Sequence, residues 1–160
     1  MSVRAMLMAA AGAQASAAYR YWRIYIQATN GANYTSIMEI QYRASISGAD
    51  MTSPSTPTLA SSTLSSFSAA LAVDNSTAYF DGWSSYPGAD GIAGAMHAWH
   101  RVDLGSPQSV AEIAFFTSDN PSLSPRNFIV QGSADGINFV DVKSFSGITH
   151  SAYSWKTFDL

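Results

Sequence analysis

The chain contains no cysteine. That excludes a disulfide scaffold, thiol catalysis and thiolate zinc sites, and leaves the compartment open. It is also poor in charge. Only 12% of its residues are charged, against about 25% in an ordinary soluble domain. Lysine is scarce, with Lys143 and Lys156 the only two. A protein that tracks phosphates needs a basic stripe, and a chain of net charge −3 with eight Lys and Arg residues does not offer one. The same shortage argues against an anionic membrane surface. No run reaches the ~20 apolar residues of a membrane span. Neither nucleic acid nor membrane insertion is therefore expected.

What is present is a neutral, hydroxyl-rich and aromatic chain. It has 160 residues, of which 47% are hydrophobic and 12% aromatic. That length suits one domain, and a chain of this size buries roughly 68–70% of its unfolded surface. Residues 1–18 (MSVRAMLMAAAGAQASAA) loosely imitate a secretory signal, but their alanines and methionines favour helix. They are expected to form an unprocessed arm or short helix that docks on a partner or on the domain. Residues 19–160 are expected to be that single domain.

From Tyr19 onward the pattern is strands and loops. In Tyr19–Ala28 (YRYWRIYIQA), Trp22, Ile24 and Ile26 fall on one face and Arg23, Tyr25 and Gln27 on the other. Ser36–Arg43 alternates again after a turn at Asn30–Asn33, and reads as the antiparallel partner of the first strand. Ser45–Ser68 reads as a long loop with a short strand near Thr56–Ser61, and Leu64–Val73 as holding a helical turn. Asp74–His97 is a second long loop, of a length that is usually functional or poorly ordered. Further strands are expected at Ala98–Leu104, Val110–Thr117, Asn127–Ser133, Phe139–Phe145 and Ser154–Leu160, with a hairpin at Asp135-Gly136. Short strands without a long amphipathic helix predict an all-β fold, an antiparallel β-sandwich jelly roll. Trp22, Trp99 and Trp155 lie within strands and are expected in the core. Arg23, beside strand tryptophans, is expected to brace the sheet.

Catalysis finds little support. There is no G-x-S-x-G elbow, and His97, His100 and His150 show no metal spacing. No pair of carboxylates is singled out for glycoside hydrolysis. The protein is expected not to be an enzyme.

Trp99-His100-Arg101-Val102-Asp103-Leu104-Gly105 resembles the W-x-x-V-D-L-G of discoidin domains, the coagulation factor 5/8 type C domains related to family 32 carbohydrate-binding modules. Pro125–Phe139 (PRNFIVQGSADGINF) is similar to that family's P-x-x-F-x-V-Q-x-S-x-D-G-x-x-F. Ala72-Val73-Asp74 resembles its A-x-D-G loop. Tyr19–Ile24 (YRYWRI) and Ile37–Ile40 (IMEI) resemble a strand pair that comes last in the family but first here. The resemblance implies a galactose-binding-like jelly roll, circularly permuted. The alternative is that Tyr19–Arg43 completes a neighbouring subunit. Tyr19–Ile26 (YRYWRIYI), paired with Ser36–Tyr42 (SIMEIQY), also resembles segments of bacteriophage virion proteins.

The resemblance also implies a sugar site in loops at one end of the jelly roll. Pyranose rings need an aromatic platform and a few planar polar groups. The corresponding loops hold Trp83, Tyr86, Asp90 and His97, then Asp119, Asn120 and Arg126. Trp83 is either a platform or a cap on the core, and Arg126 either a ligand contact or a partner of a loop carbonyl. A structural Ca²⁺ is implied near the A-x-D-G loop, with Asp74 and Glu39 as ligands and the Ala72 carbonyl nearby. Asn75 and Tyr79 depart from the family's glycine and threonine there, and a solvated loop aspartate is the alternative.

The reading that results is a non-catalytic bacteriophage virion module, in a tail appendage (tail fiber) or as capsid decoration. It would be assembled in the host cytoplasm and exposed on the particle. It would bind host surface glycans for attachment as a homo-oligomer, with sister subunits or other virion proteins as partners. The alternatives are a secreted or cell-surface carbohydrate-binding module, or a purely structural assembly protein with no glycan ligand.

Overall fold

A computed structural model describes residues 17–86 and 95–160. The expected N-terminal arm falls almost wholly, and Asp90 entirely, outside the described residues. Ten strands follow in order: β1 (Tyr19–Thr29), β2 (Ser36–Ile37), β3 (Glu39–Arg43), β4 (Thr58–Ala60), β5 (Trp83–Ser84), β6 (Ala95–Gln108), β7 (Glu112–Phe116), β8 (Pro125–Ser133), β9 (Val140–Phe145) and β10 (Trp155–Asp159). Two short 3-10 turns, Ala69–Val73 and Pro121–Leu123, are the helical elements among the described residues.

The fold is the antiparallel β-sandwich expected. One sheet has the order β4-β6-β1-β8-β9 and the other β10-β7-β3, with a small β2-β5 ladder beside them. Trp22, Ile24 and Ile26 point inward from β1, Val102 from β6, and Phe128 and Val130 from β8. Ile40, Tyr42, Ile113, Phe115 and Phe158 meet them from the second sheet. Three rings sit at the centre: Phe115, Phe128 and Phe158 have centroids 5.0–5.2 Å apart. Such contacts add roughly 0.5–1.5 kcal/mol per pair beyond area burial.

β1 uses both of its edges within its own chain, pairing with β6 and β8. Residues 19–43 therefore complete their own fold. Ser36–Arg43 does not pair with β1, contrary to expectation. It splits into β2, which pairs with β5, and β3, which pairs with β7. Both sides of β1 are already taken, so the next strand crosses to the other sheet.

Two tryptophans leave the expected core. Trp99 lies directly opposite Tyr25, on the outer row of the five-stranded sheet. With the strand period of two, Ala98, His100 and Val102 take the inner positions. Trp155 is 42% exposed, because Phe158 on the same edge strand is the residue turned inward.

Tyr19 and Leu160 lie close together. Tyr19 lies opposite Gln108, and the Leu160 amide donates to the Ala111 carbonyl. Gln108 and Ala111 are three residues apart, a separation of at most ~11 Å.

Candidate functional site

Beside the β2-β5 ladder lies a pocket of about 180 Å³. That is below the ~300–1,000 Å³ of drug-sized sites, so it suits one small ring or a chain end. Its apolar side is Leu64, Phe67, Tyr79 and Phe80, and its polar side Ser36, Ser84, Ser118, Asp81 and Asp119. Tyr79 and Phe80 are 58% and 65% exposed, and their rings are 3.9 Å apart. Phe67 lies 6.1 Å from Phe80, and Tyr153 lies 6.4 Å from Tyr79. Phe67, Phe80 and Tyr79 form a chain of aromatics along the pocket, and Tyr153 continues it beyond the lining.

The backbone there is strained. Phe80 has φ 62° and Tyr153 φ 48°. Left-handed φ at a bulky non-glycine residue costs on the order of 1–3 kcal/mol and persists only where surrounding contacts enforce it. At Tyr153 the enforcing contact is its amide, which donates to the Ser118 carbonyl. For Phe80 the anchor is Gly82. A Cβ at Gly82 would stand 2.5 Å from the Met38 Cα and 2.6 Å from the Ile37 carbonyl oxygen. Only glycine lets this loop lie against the chain at Ile37 and Met38.

The structure disperses the sugar-binding residues expected from sequence. Asp119 lines the pocket. Asn120 lies next to it, and its side chain accepts from the Ser122 amide and hydroxyl, capping the Pro121–Leu123 turn. Trp83 is corrected from a possible platform to a core residue. It is fully buried, its ring 5.4 Å from His100, and its Nε1 donates to the Ser62 carbonyl. Tyr86 is 56% exposed but does not line the pocket. His97 stands on the outer face of the large sheet, its Nδ1 2.7 Å from the Tyr25 hydroxyl. Arg126 is exposed, and its side chain has no hydrogen-bond partner among the described residues. Sequence reasoning missed Phe67 and Phe80 as lining residues and Tyr153 as their neighbour, and considered Tyr79 only as a departure from a threonine. Adjacent exposed-type aromatics in a polar loop ending in glycine were the available signal.

Behind the pocket lies an acidic cluster. Glu39 on β3 is buried, and neither carboxylate oxygen meets a hydrogen-bond partner. Burial pushes its pKa up to about 8, the nearby Asn75 amide offsets part of this, and Asp74, Asp50 and Asp81 push it further. Asp74 is also raised, by burial first and then by Asp81, although the Ser76 amide donates to it. Among the described residues, no three such side chains close around a common point. A cation here would rely on Glu39, Asp74 and backbone carbonyls. Two orphaned oxygens in a buried carboxylate are the kind of donor a hard divalent ion satisfies. Asp81 belongs both to this cluster and to the pocket lining.

Residues 57–160 match the family model described as F5/8 type C domain. No curated protein and no solved structure matches the chain.

Proposed function

The chain belongs to the F5/8 type C domain family, and from that premise we propose that it binds carbohydrate, without catalysis, in the pocket edged by Tyr79, Phe80 and Asp119. Domains of this family are generally non-catalytic binding modules. The observation that carries the reading is Phe80, held exposed at a strained φ on the rim of a pocket with hydroxyl and carboxylate groups opposite. Phe80 and Tyr79 offer faces to the C–H side of a pyranose, and Asp81, Asp119 and the serines accept or donate to its hydroxyls. Calorimetric titration with neutral mono- and oligosaccharides tests this. Phe80→Ala is expected to weaken binding about tenfold or more, since burying an aromatic is worth roughly 1.5–3 kcal/mol. Unchanged affinity in that variant would remove the pocket from the reading.

Calcium is part of the same proposal. Glu39 and Asp74, with the Ala72 carbonyl, would hold it. The ion supplies charge compensation for the buried carboxylate. By pinning residues 74–82 against β3 it would steady the loop that presents Tyr79 and Phe80.

We also propose that the domain is circularly permuted. The family match begins at residue 57, yet β1 and β3, which precede it, supply the centre of one sheet and an edge of the other. Neighbouring ends make such a rearrangement cheap in contacts. The placement on a bacteriophage particle rests on the likeness of Tyr19–Ile26 and Ser36–Tyr42 to virion segments. There, many weak sites acting together would give useful avidity, with the residues before Tyr19 as attachment. A particle preparation in which antibodies to this chain label neither tail nor capsid would refute that placement.

A further inference from the structure

The outer face of the five-stranded sheet carries a row that runs across all its strands. Leu59 on β4 faces Arg101 on β6, Arg101 faces Arg23 on β1, Arg23 faces Gln131 on β8, and Gln131 faces Asp141 on β9. Two arginines are therefore direct cross-strand neighbours at the middle of a sheet. Like charges in that relation are destabilising.

Among the described residues no carboxylate forms an ion pair with either, although Asp141 attracts Arg23 and Asp103 attracts Arg101 from a greater distance. The ion pairs among the described residues are Arg20–Asp103 and Arg43–Glu112. Asp103 spends both oxygens on Arg20, Asp141 accepts from Gln131 Nε2, and Asp135 accepts from its own turn. Arg23 Nε donates to Gln131 Oε1 at 2.7 Å, as a sheet brace would. Arg101 Nη1 donates to the Gly136 carbonyl at 2.9 Å. The remaining N–H groups of both guanidiniums have no partner among the described residues. Aromatic rings surround them. Arg23 lies 3.9 Å above Phe139 and 5.7 Å from Trp99, with Tyr25 at 5.9 Å, and Arg101 lies 5.3 Å from Tyr21. Burial depresses the Arg23 pKa and Arg101 adds to it, while Tyr25 and Asp141 offset part of the shift.

We propose that Arg23 and Arg101, with Trp99 and Tyr25, form a second ligand site, for a pyranose bearing a carboxylate or sulfate group. Guanidinium forks suit such oxyanions, and aromatic faces suit the sugar ring. An anion placed between the two arginines would turn their repulsion into a shared attraction. A second copy docked by a two-fold axis would instead bring four guanidiniums together. An acidic chain with a few arginines on one face lacks the basic stripe of a nucleic-acid binder. This site extends the carbohydrate reading to a separate surface and does not use the pocket.

Affinity electrophoresis of the full chain in gels containing polygalacturonate, carrageenan, neutral galactan or single-stranded oligonucleotide tests it. Retardation by polygalacturonate alone assigns a carboxylate ligand, and by carrageenan alone a sulfate ligand. Arg101→Gln is expected to weaken the acidic binding about tenfold or more, with Arg101→Lys between it and the native chain. The melting temperature of Arg101→Gln should change little, because relief of the like-charge pair offsets the lost hydrogen bond to Gly136. Phe80→Ala should leave acidic binding intact, and Arg101→Gln should leave neutral-sugar binding intact. Failure at this face thereby stays distinct from failure of the pocket. The proposal is overturned by equal retardation in acidic and neutral gels, by native-like acidic binding in Arg101→Gln, or by stronger retardation in oligonucleotide than in either acidic glycan.

Discussion

Arg23, Tyr25, Trp99 and Arg101 stand on long paired strands, and none has a positive φ. Tyr79, Phe80 and Tyr153 stand on loops, two of them at left-handed φ. Both surfaces gather aromatics around polar groups, but they are held differently. On the sheet, the ladder sets side-chain positions, and the conflict lies between charges. At the pocket, the conflict lies in the backbone, and the loop is held by a glycine contact, one amide and the acidic cluster behind it. Side chains on paired strands are placed more firmly than those on loops. The sheet face should therefore tolerate changes that would disorganise the pocket.

The strongest way to break the comparison is to remove what both surfaces share. Phe128→Ala, at one corner of the aromatic triangle, should cost about 3–5 kcal/mol in chemical denaturation and weaken both surfaces together. Loss of one surface alone would show them to be independently supported.

Acid separates them next. His100 is buried on β6, its Nε2 donates to the Ala69 carbonyl, and burial pushes its pKa down to about 4. The group is neutral when folded and takes up a proton near 6.5 when unfolded. Its contribution is complete above pH 6.5 and is lost as pH falls towards 4, by about 3 kcal/mol. His100→Gln should flatten that slope in denaturation curves. Because His100 ties the 3-10 turn that leads to Asp74, acid should open the pocket side before the sheet face in hydrogen exchange.

Calcium should act on the pocket side alone. At a hundredfold excess over Kd it should add about 2.7 kcal/mol, read as a rise in Tm reversed by a chelator. Glu39→Gln should abolish that rise while leaving Tyr25 and Trp99 signals in place. A chelator without effect on the native chain would discard the metal. The smallest change sharpens the contrast most. Phe80→Gly should stabilise the fold by up to about 1 kcal/mol through relief of strain, yet weaken neutral-sugar binding.

Much of the sheet was legible in the sequence. Alternation placed Trp22, Ile24 and Ile26 inward, and Asp135-Gly136 marked a hairpin in which Gly136 takes φ 75°. Alternation does not choose neighbours, so it could not show that Ser36–Arg43 joins the other sheet. Nor does residue type choose a face, as Trp99 and Trp155 show. The pocket was less legible. The left-handed φ of Phe80 and Tyr153 arises from contacts distant in sequence, and the orphaned oxygens of Glu39 appear only once β3 is packed. The family resemblance points to Asp74 and Glu39, and to Asp119 through the loop that carries it. Nothing local in the sequence distinguishes Asp81 from a turn aspartate.

The nearness of Tyr19 and Leu160 has a mechanical side. A domain tethered through Tyr19 and tugged through its ligand would carry the load along β1. Bonds to β6 and β8 run across that axis on both flanks. They would be sheared as a group, whereas an edge strand such as β10 can be unzipped one bond at a time. The strand that takes the pull is the one most difficult to peel away.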